Sequence, residues 1–283
     1  MNGWEAPLFA VIGGLIGAAL GAFVAWFLRR APAGRIVGLV AMAGLAVAGA
    51  LVAKSLAPVG PAMEAAPDDV IEELKQDRIL AAIFAREPEL EIAFRDELAA
   101  IAASDYAPAA AAERGFAFSR ETVGAGLLQY LQRGRDEDIV AYYAALTGII
   151  THLAAAHPGF CHIYLFEPER LASYTPQDLS ARLTPERHDA LQEAGAAVVL
   201  RAFEEIPDYD SHTAGLVIAM GAMLVYETLG EERIALVTMG ERPRTEEDAR
   251  AACEAMASVQ AMYLASDRPG MVFRHLMVIS QGE

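Results

Sequence analysis

Three histidines and a cysteine lie within eleven residues of one another, and these residue types are good ligands for transition metals. The segment THLAAAHPGFCHIY carries His152, His157, Cys161 and His162. Its spacing is poor for a shared metal, because five residues along a helix turn the second imidazole about 140° from the first. The alternative is a helix end, which imidazolium groups favour, followed by a buried cysteine. We favour the alternative and predict no metal or other cofactor.

A second cluster, IPDYDSHTAG, holds Asp208, Asp210 and His212. A carboxylate beside a histidine can orient the imidazole as a general base, and alternating carboxylates can hold a divalent cation. These three residues are therefore the candidate catalytic set of a hydrolase. The cluster also directly precedes an apolar helical run, where Asp and Ser are ordinary helix caps. The capping interpretation is favoured, and the catalytic one stays open.

Cys161 and Cys253 are the only cysteines of the chain and are 92 residues apart. A disulfide between them is chemically allowed in a domain outside the cytoplasm. Two buried free thiols explain the sequence almost as well, because disulfide geometry is strict and the spacing alone does not define it. Both interpretations stay open at this stage.

The sequence contains none of the local strings that mark common active sites. There is no G-x-S-x-G, H-E-x-x-H, Walker loop, G-x-G-x-x-G or C-x-x-C. Helical enzymes can lack any such signature, so this observation favours a non-enzymatic protein only weakly.

Charge and hydropathy divide the chain into two parts. The whole chain has a net charge of −16 and a mean hydropathy of +0.28. Residues 1–63 carry four basic side chains and one acidic side chain, whereas residues 64–283 carry a net charge of −19. This division excludes a fully soluble protein, a disordered chain, a polytopic transporter and a nucleic-acid binder of the usual basic kind.

Two uncharged apolar stretches predict a transmembrane helical hairpin in residues 1–56. Residues 8–28 form about 30 Å of helix, the thickness of the hydrocarbon core. The second span covers residues 36–56, with Lys54 reaching back to the interface. The loop 29–35 carries three arginines, which favours a cytoplasmic position. We therefore expect both termini on the outer side of a bacterial inner membrane, with the larger domain in the periplasm.

Gly13, Gly17 and Gly21 form a stripe of small residues along the first predicted span. Small residues four apart let transmembrane helices approach closely. The stripe packs either against the second helix of the hairpin or against another membrane subunit or a second copy, and the motif alone does not choose between them.

Residues 57–67 hold three prolines and predict a short linker. Residues 68–283 form the acidic globular domain, for which we predict a mainly all-α bundle. Proline and capping signals place a helix from Pro67 to about residue 87 and another from Pro88. Further helices are expected at about 119–133, 136–156, 185–205, 212–229 and 245–265. The runs 160–166, 234–239 and 271–279 are compatible with either strands or buried helices.

These observations favour a membrane-anchored accessory or scaffold subunit, without enzymatic activity, whose acidic helical domain binds another protein of the cell envelope. Its charge disfavours nucleic acid and anionic headgroups, and it favours a basic or neutral protein surface. The first alternative is an envelope hydrolase, metal-dependent or not, built on Asp208, Asp210 and His212. The second alternative is a small-ligand-binding or sensor domain.

Overall fold

The computed structural model describes residues 67–104, 106, 108–167, 170–171, 174, 178, 181–203, 210–238 and 241–280. These ranges are mostly α-helical and contain no β-strand. The predicted all-α class is therefore confirmed for the described part of the chain. The predicted hairpin and its linker, up to residue 66, lie outside the described residues.

The described helices are numbered here in chain order. They are α1 (Pro67–Leu74), α2 (Arg78–Arg86), α3 (Pro88–Ala102), α4 (Pro108–Arg133), α5 (Asp136–Ala156), α6 (Pro158–Phe166), α7 (Pro185–Arg201), α8 (Ser211–Thr238), α9 (Glu246–Leu264) and α10 (Pro269–Ser280).

Several helix starts follow directly from local sequence chemistry. Pro88, Pro158 and Pro185 each occupy the first turn of a helix, where a missing N–H costs nothing. At the start of α9, the Thr245 side chain accepts a hydrogen bond from the Asp248 N–H, and the Asp248 carboxylate accepts one from the Thr245 N–H. This reciprocal pair is a capping box.

The predicted single helix from Pro67 to residue 87 is wrong, because the chain forms two helices there. Lys75 and Gln76 lie in a turn, and Asp77 caps α2 by accepting a hydrogen bond from the Leu80 N–H, 2.9 Å away. The three β-compatible runs are helical wherever they are described. Residues 160–166 belong to α6, 234–238 to α8 and 271–279 to α10.

Helix α5 lies at the centre of the bundle. It packs against α6, α7, α9 and α10, and both Tyr142 and Tyr143 on it are buried. The ring of Phe273 in α10 stacks on Tyr143 with 3.8 Å between centroids. Buried apolar side chains from Val70 to Met277 form one continuous cluster. The described helices therefore share a single hydrophobic core.

Two helices, α5 and α8, are long and apolar enough to cross a membrane when judged by length and composition, with mean hydropathies of 1.6 and 1.5. In the most apolar 18 residues of each helix, 44% of the stretch is buried in α5 and 22% in α8. The central position of α5 in the core accounts for its composition. Helix α8 leaves far more of its apolar surface uncovered.

Helix α8 bends at Gly230, which has a φ of +68°. Glycine adopts this left-handed conformation without steric cost, whereas an L side chain is strained there. The bend separates residues 211–229 from a final segment in which Leu236 and Val237 return to the core. Residues 211–229 therefore run in a different direction from the final segment of α8.

Candidate functional site

The candidate histidine and cysteine ligands are not gathered as a metal site in the described residues. The rings of His152 and His157 lie 6.2 Å apart, centroid to centroid, and His152 Nε2 is 3.2 Å from the carbonyl oxygen of Arg182. Cys161 and His162 face the buried interior from α6. Within the described ranges, no group of three or more His, Cys, Asp or Glu side chains is placed to hold a metal ion.

Cys161 of α6 and Cys253 of α9 are joined as a disulfide in the structure. Their Cα atoms are 6.3 Å apart, within the range that disulfides adopt. Both side chains are fully buried. The bond ties the short helix α6 to α9, so Cys161 is not available as a thiolate ligand.

His162 lies beside an ion-pair cluster around the buried Glu167 carboxylate that the sequence did not reveal. Its Nδ1 lies 3.5 Å from Glu167 Oε1. The Glu167 carboxylate also accepts hydrogen bonds from Arg170 Nη1 and from Arg242 Nε, each 3.0 Å from Oε2. Burial lowers the pKa of the His162 imidazole, which the Glu167 carboxylate opposes in part. Because the imidazole is fully buried, this cluster connects segments of the chain rather than offering a base to solvent.

Of the candidate catalytic set, Asp208 lies outside the described residues, and Asp210 and His212 lie at the start of α8. Asp210 Oδ1 accepts hydrogen bonds from the His212 N–H and the Thr213 N–H at 3.0 and 3.1 Å, and its Oδ2 accepts one from the Thr213 hydroxyl. These bonds, led by the Thr213 hydroxyl, lower the pKa of Asp210. The carboxylate therefore caps the helix, and its hydrogen bond with His212 is to the backbone N–H and not to the imidazole.

The predicted membrane-packing residues Gly13, Gly17 and Gly21 lie outside the described residues. Their packing therefore stays a prediction, as does the transmembrane hairpin that carries them.

The candidate functional surface is an apolar stripe on α8. Four of the eight large apolar side chains that are exposed in the described ranges belong to this helix: Leu216, Met220, Met223 and Tyr226. Spacings of four, three and three residues place them within about 120° of the helix circumference and along about 15 Å of its length. We call these four residues the α8 stripe. An exposed apolar set of this kind marks an interaction site more often than a scattered single residue does.

The opposite face of α8 holds the helix firmly in the bundle. Tyr263 of α9 donates a hydrogen bond from its hydroxyl to the carbonyl oxygen of Ile218, 3.2 Å away. Gly221 allows this ring to approach, because a Cβ atom there would lie 2.2 Å from the Tyr263 hydroxyl oxygen. The α8 stripe is thus a fixed surface on a packed helix, and its exposure follows from the packing of the buried face.

Acidic residues border the α8 stripe at both ends. Asp210 precedes it, and Glu227, Glu231 and Glu232 follow it at exposed positions. Residues 210–232 contain no Lys or Arg. The stripe therefore presents apolar side chains between two negatively charged ends.

No known family model, curated protein or solved structure matches this chain.

Proposed function

We infer that this protein is a membrane-anchored accessory subunit that binds another envelope protein through the α8 stripe. The observation that carries the inference is the exposure of Leu216, Met220, Met223 and Tyr226 on one face of a helix whose other face is packed. Burying such a set against a partner removes apolar surface from water. Each Å² of apolar surface buried contributes about 25 cal/mol of favourable free energy. Met side chains suit this role, because they adapt to the shape of the surface that they meet.

The acidic ends of the α8 stripe define the chemistry of the partner. Four carboxylates flank the apolar side chains, and the domain as a whole is strongly acidic. An anionic lipid surface is disfavoured by this charge, whereas an amphipathic helix with basic residues beside its apolar face is favoured. We therefore assign the partner as a protein helix with Lys or Arg at both ends of an apolar stripe.

Membrane anchoring is the second component of the proposal. It is supported by the uncharged stretches 8–28 and 36–56 and by the three arginines of the loop 29–35. In this arrangement the acidic domain lies in the periplasm of a bacterial cell, and the partner is a membrane or periplasmic protein. The glycines Gly13, Gly17 and Gly21 are available for a further contact within the membrane.

The docking proposal can be tested by photocrosslinking in living cells. A photoreactive benzoylphenylalanine at position 220 of the full chain should give one adduct with a different protein, and Leu216→Asp in the same chain should abolish it. The matched control is the same label at Ile92 of α3, since Ile92 is 56% exposed and Met220 is 59% exposed. Label at Ile92 should give no such adduct.

Binding of the captured partner should then be measured with purified proteins. We expect its affinity for the full chain to fall as salt is raised, because the acidic ends of the stripe attract basic residues. An adduct of twice the mass of this chain would show self-association instead, and adducts with lipid alone would show a membrane-facing role. Either result, or equal adducts from positions 92 and 220, would overturn the assignment.

The topology can be tested by fusing reporter enzymes to the C-terminus. A reporter that is active only in the periplasm should be active there, and one that is active only in the cytoplasm should be inactive. The reverse result would refute the assigned orientation.

In the same cells, Gly17→Leu should weaken recovery of the crosslinked partner if the glycine stripe also contacts it. An unchanged yield would confine the glycines to packing within the hairpin.

A further inference from the structure

A cavity of about 270 Å³ lies where the C-terminal ends of α2, α4 and α7 meet. Its walls include the aromatic rings of Tyr130 and Phe203 and the polar side chains of Arg86, Glu87 and Arg133. This volume lies just below the usual range of ligand pockets, roughly 300–1,000 Å³. The space therefore suits a molecule built on a single ring.

Most polar groups around this cavity already have partners within the protein. Arg86 Nη1 donates hydrogen bonds to the carbonyl oxygens of Val199 and Leu200 at 3.3 and 3.4 Å. These bonds satisfy the end of α7, where backbone carbonyls are left without helical partners. The Phe203 N–H donates to the carbonyl oxygen of Arg133, 2.6 Å away, which satisfies the end of α4 in the same way.

The acidic side chain of the cavity is also engaged. The Tyr130 hydroxyl donates a hydrogen bond to the Glu87 carboxylate. Burial and this bond together raise the pKa of Tyr130, so its proton stays in place. The Arg86 guanidinium lies 5.5 Å from the centroid of the Tyr130 ring. The Glu87 carboxylate is therefore engaged within the fold through the Tyr130 hydroxyl.

Arg133 is the remaining charged residue that lines the cavity. Among the described contacts, its guanidinium has no hydrogen bond and no ion pair. Beside it, the Phe203 ring is 45% exposed, and the guanidinium of Arg135 lies 5.6 Å from its centroid. A planar cation and an exposed aromatic ring that line the same cavity form a combination that recognises a flat anion.

We propose that this cavity binds a small aromatic carboxylate, with the carboxylate on Arg133 and the ring against Phe203 and Tyr130. The guanidinium of Arg133 offers parallel N–H donors that match the two carboxylate oxygens. The aromatic walls supply offset or edge contacts to the ligand ring. This site lies apart from the α8 stripe in sequence and is built from different helices, so it is independent of the proposed function.

Calorimetric titration of benzoate into the full-length protein in detergent tests this proposal. Benzoate should bind, and benzyl alcohol, which has the same ring without the charge, should bind at least roughly tenfold more weakly, because a charge-assisted hydrogen bond is lost. Arg133→Gln and Phe203→Ala should each weaken benzoate binding, the first by about tenfold or more. The matched control is Arg187→Gln on α7, whose exposed guanidinium bonds only to the Thr184 hydroxyl in the described structure. It should leave binding unchanged.

Far-UV circular dichroism of each variant identifies any that fail to fold, and Arg133→Lys provides a second test at the same position, since lysine keeps the charge without the planar fork. Its benzoate affinity should lie between those of the native chain and Arg133→Gln. The proposal is overturned if benzoate produces no saturable heat at millimolar concentration, if benzyl alcohol binds equally well, or if folded Arg133→Gln binds as the native chain does.

Discussion

The guanidinium of Arg274 donates a hydrogen bond to the carbonyl oxygen of Gly134, with 2.8 Å between Nη2 and the oxygen. The same side chain donates from Nε to the carbonyl oxygen of Gln132, at 3.0 Å, and from Nη2 to the carboxylate of Asp136. Arg274 lies on α10, and only 2% of its surface is exposed. A single buried cation from the last helix therefore satisfies the end of α4 and the start of α5.

We expect Arg274→Met to destabilise the fold by about 3–5 kcal/mol, because it leaves buried acceptors without donors. Equilibrium unfolding in urea, followed by circular dichroism, measures this loss. Arg268→Met is the matched control, since Arg268 is exposed just before α10 and should change stability by no more than about 0.5 kcal/mol. Equal unfolding midpoints for the two variants would show that the Arg274 bonds contribute nothing.

Asp77 gives a prediction about pH. Its buried carboxylate caps α2 and accepts a hydrogen bond from Gln192 Nε2, 2.7 Å away. Burial raises the pKa of Asp77 above its ordinary value of 3.8, although its hydrogen bonds to the Leu80 N–H and Gln192 oppose the shift. Between 3.8 and the raised pKa, the folded state binds more protons than the unfolded state, so stability falls as pH rises through this window.

Replacing Asp77 with Asn removes this titration while keeping an oxygen to accept the Leu80 N–H. Relative to the native chain, Asp77→Asn should gain stability progressively as pH rises above 3.8, and the gain should level off once the native carboxyl is ionised. Urea unfolding at a series of pH values from 3.5 to 7 should be compared for the two chains. Parallel curves across this range would refute the assigned role of Asp77.

The sequence is informative where structure is set by neighbours along the chain. The bounds of α5, residues 136–156, are those predicted, because acidic residues occupy its first turn and Pro158 follows its end. The capping box of Thr245 and Asp248 is found for the same reason. In contrast, the sequence does not predict the break at Asp77, whose buried carboxylate also accepts a hydrogen bond from Gln192, 115 residues away.

Long-range pairings and exposed surfaces could not be deduced in this way. Glu167 meets Arg242 across 75 residues, and no local pattern links them. Helix α8 is apolar on nearly all sides, so its periodicity does not tell which face is covered. The α8 stripe became apparent only once α9 and α10 were seen to occupy the other face.

Gly221 lies at the close contact of α8 and α9. Substituting it tests whether this contact fixes which face of α8 is covered. A methyl group at this position would meet the Tyr263 hydroxyl and ring, with Cζ at 2.6 Å. We therefore expect Gly221→Ala to cost about 1–3 kcal/mol, and Tyr263→Phe in the same chain to recover part of the loss. Thermal unfolding of the three chains measures both effects.

Gly148→Ala is the matched control for Gly221→Ala. It lies within α5, and nothing lies within 4 Å of a Cβ atom placed there. Because alanine favours the helix over glycine, this change should stabilise the protein by about 0.5–1 kcal/mol. If both glycine variants shifted stability in the same direction and by similar amounts, close packing at Gly221 would not be the reason for its glycine.

The disulfide between Cys161 and Cys253 links stability to the compartment of the domain. It closes a loop of 92 residues, so its loss through Cys161→Ala and Cys253→Ala should cost about 4 kcal/mol.

In cells, a domain in the periplasm should keep the bond between Cys161 and Cys253 oxidised. After an acid quench and denaturation, a maleimide-polymer reagent should shift the mass of the chain only if a reductant was added first. A shift without reductant would mean free thiols, and it would count against both the bond and the outward orientation of the domain.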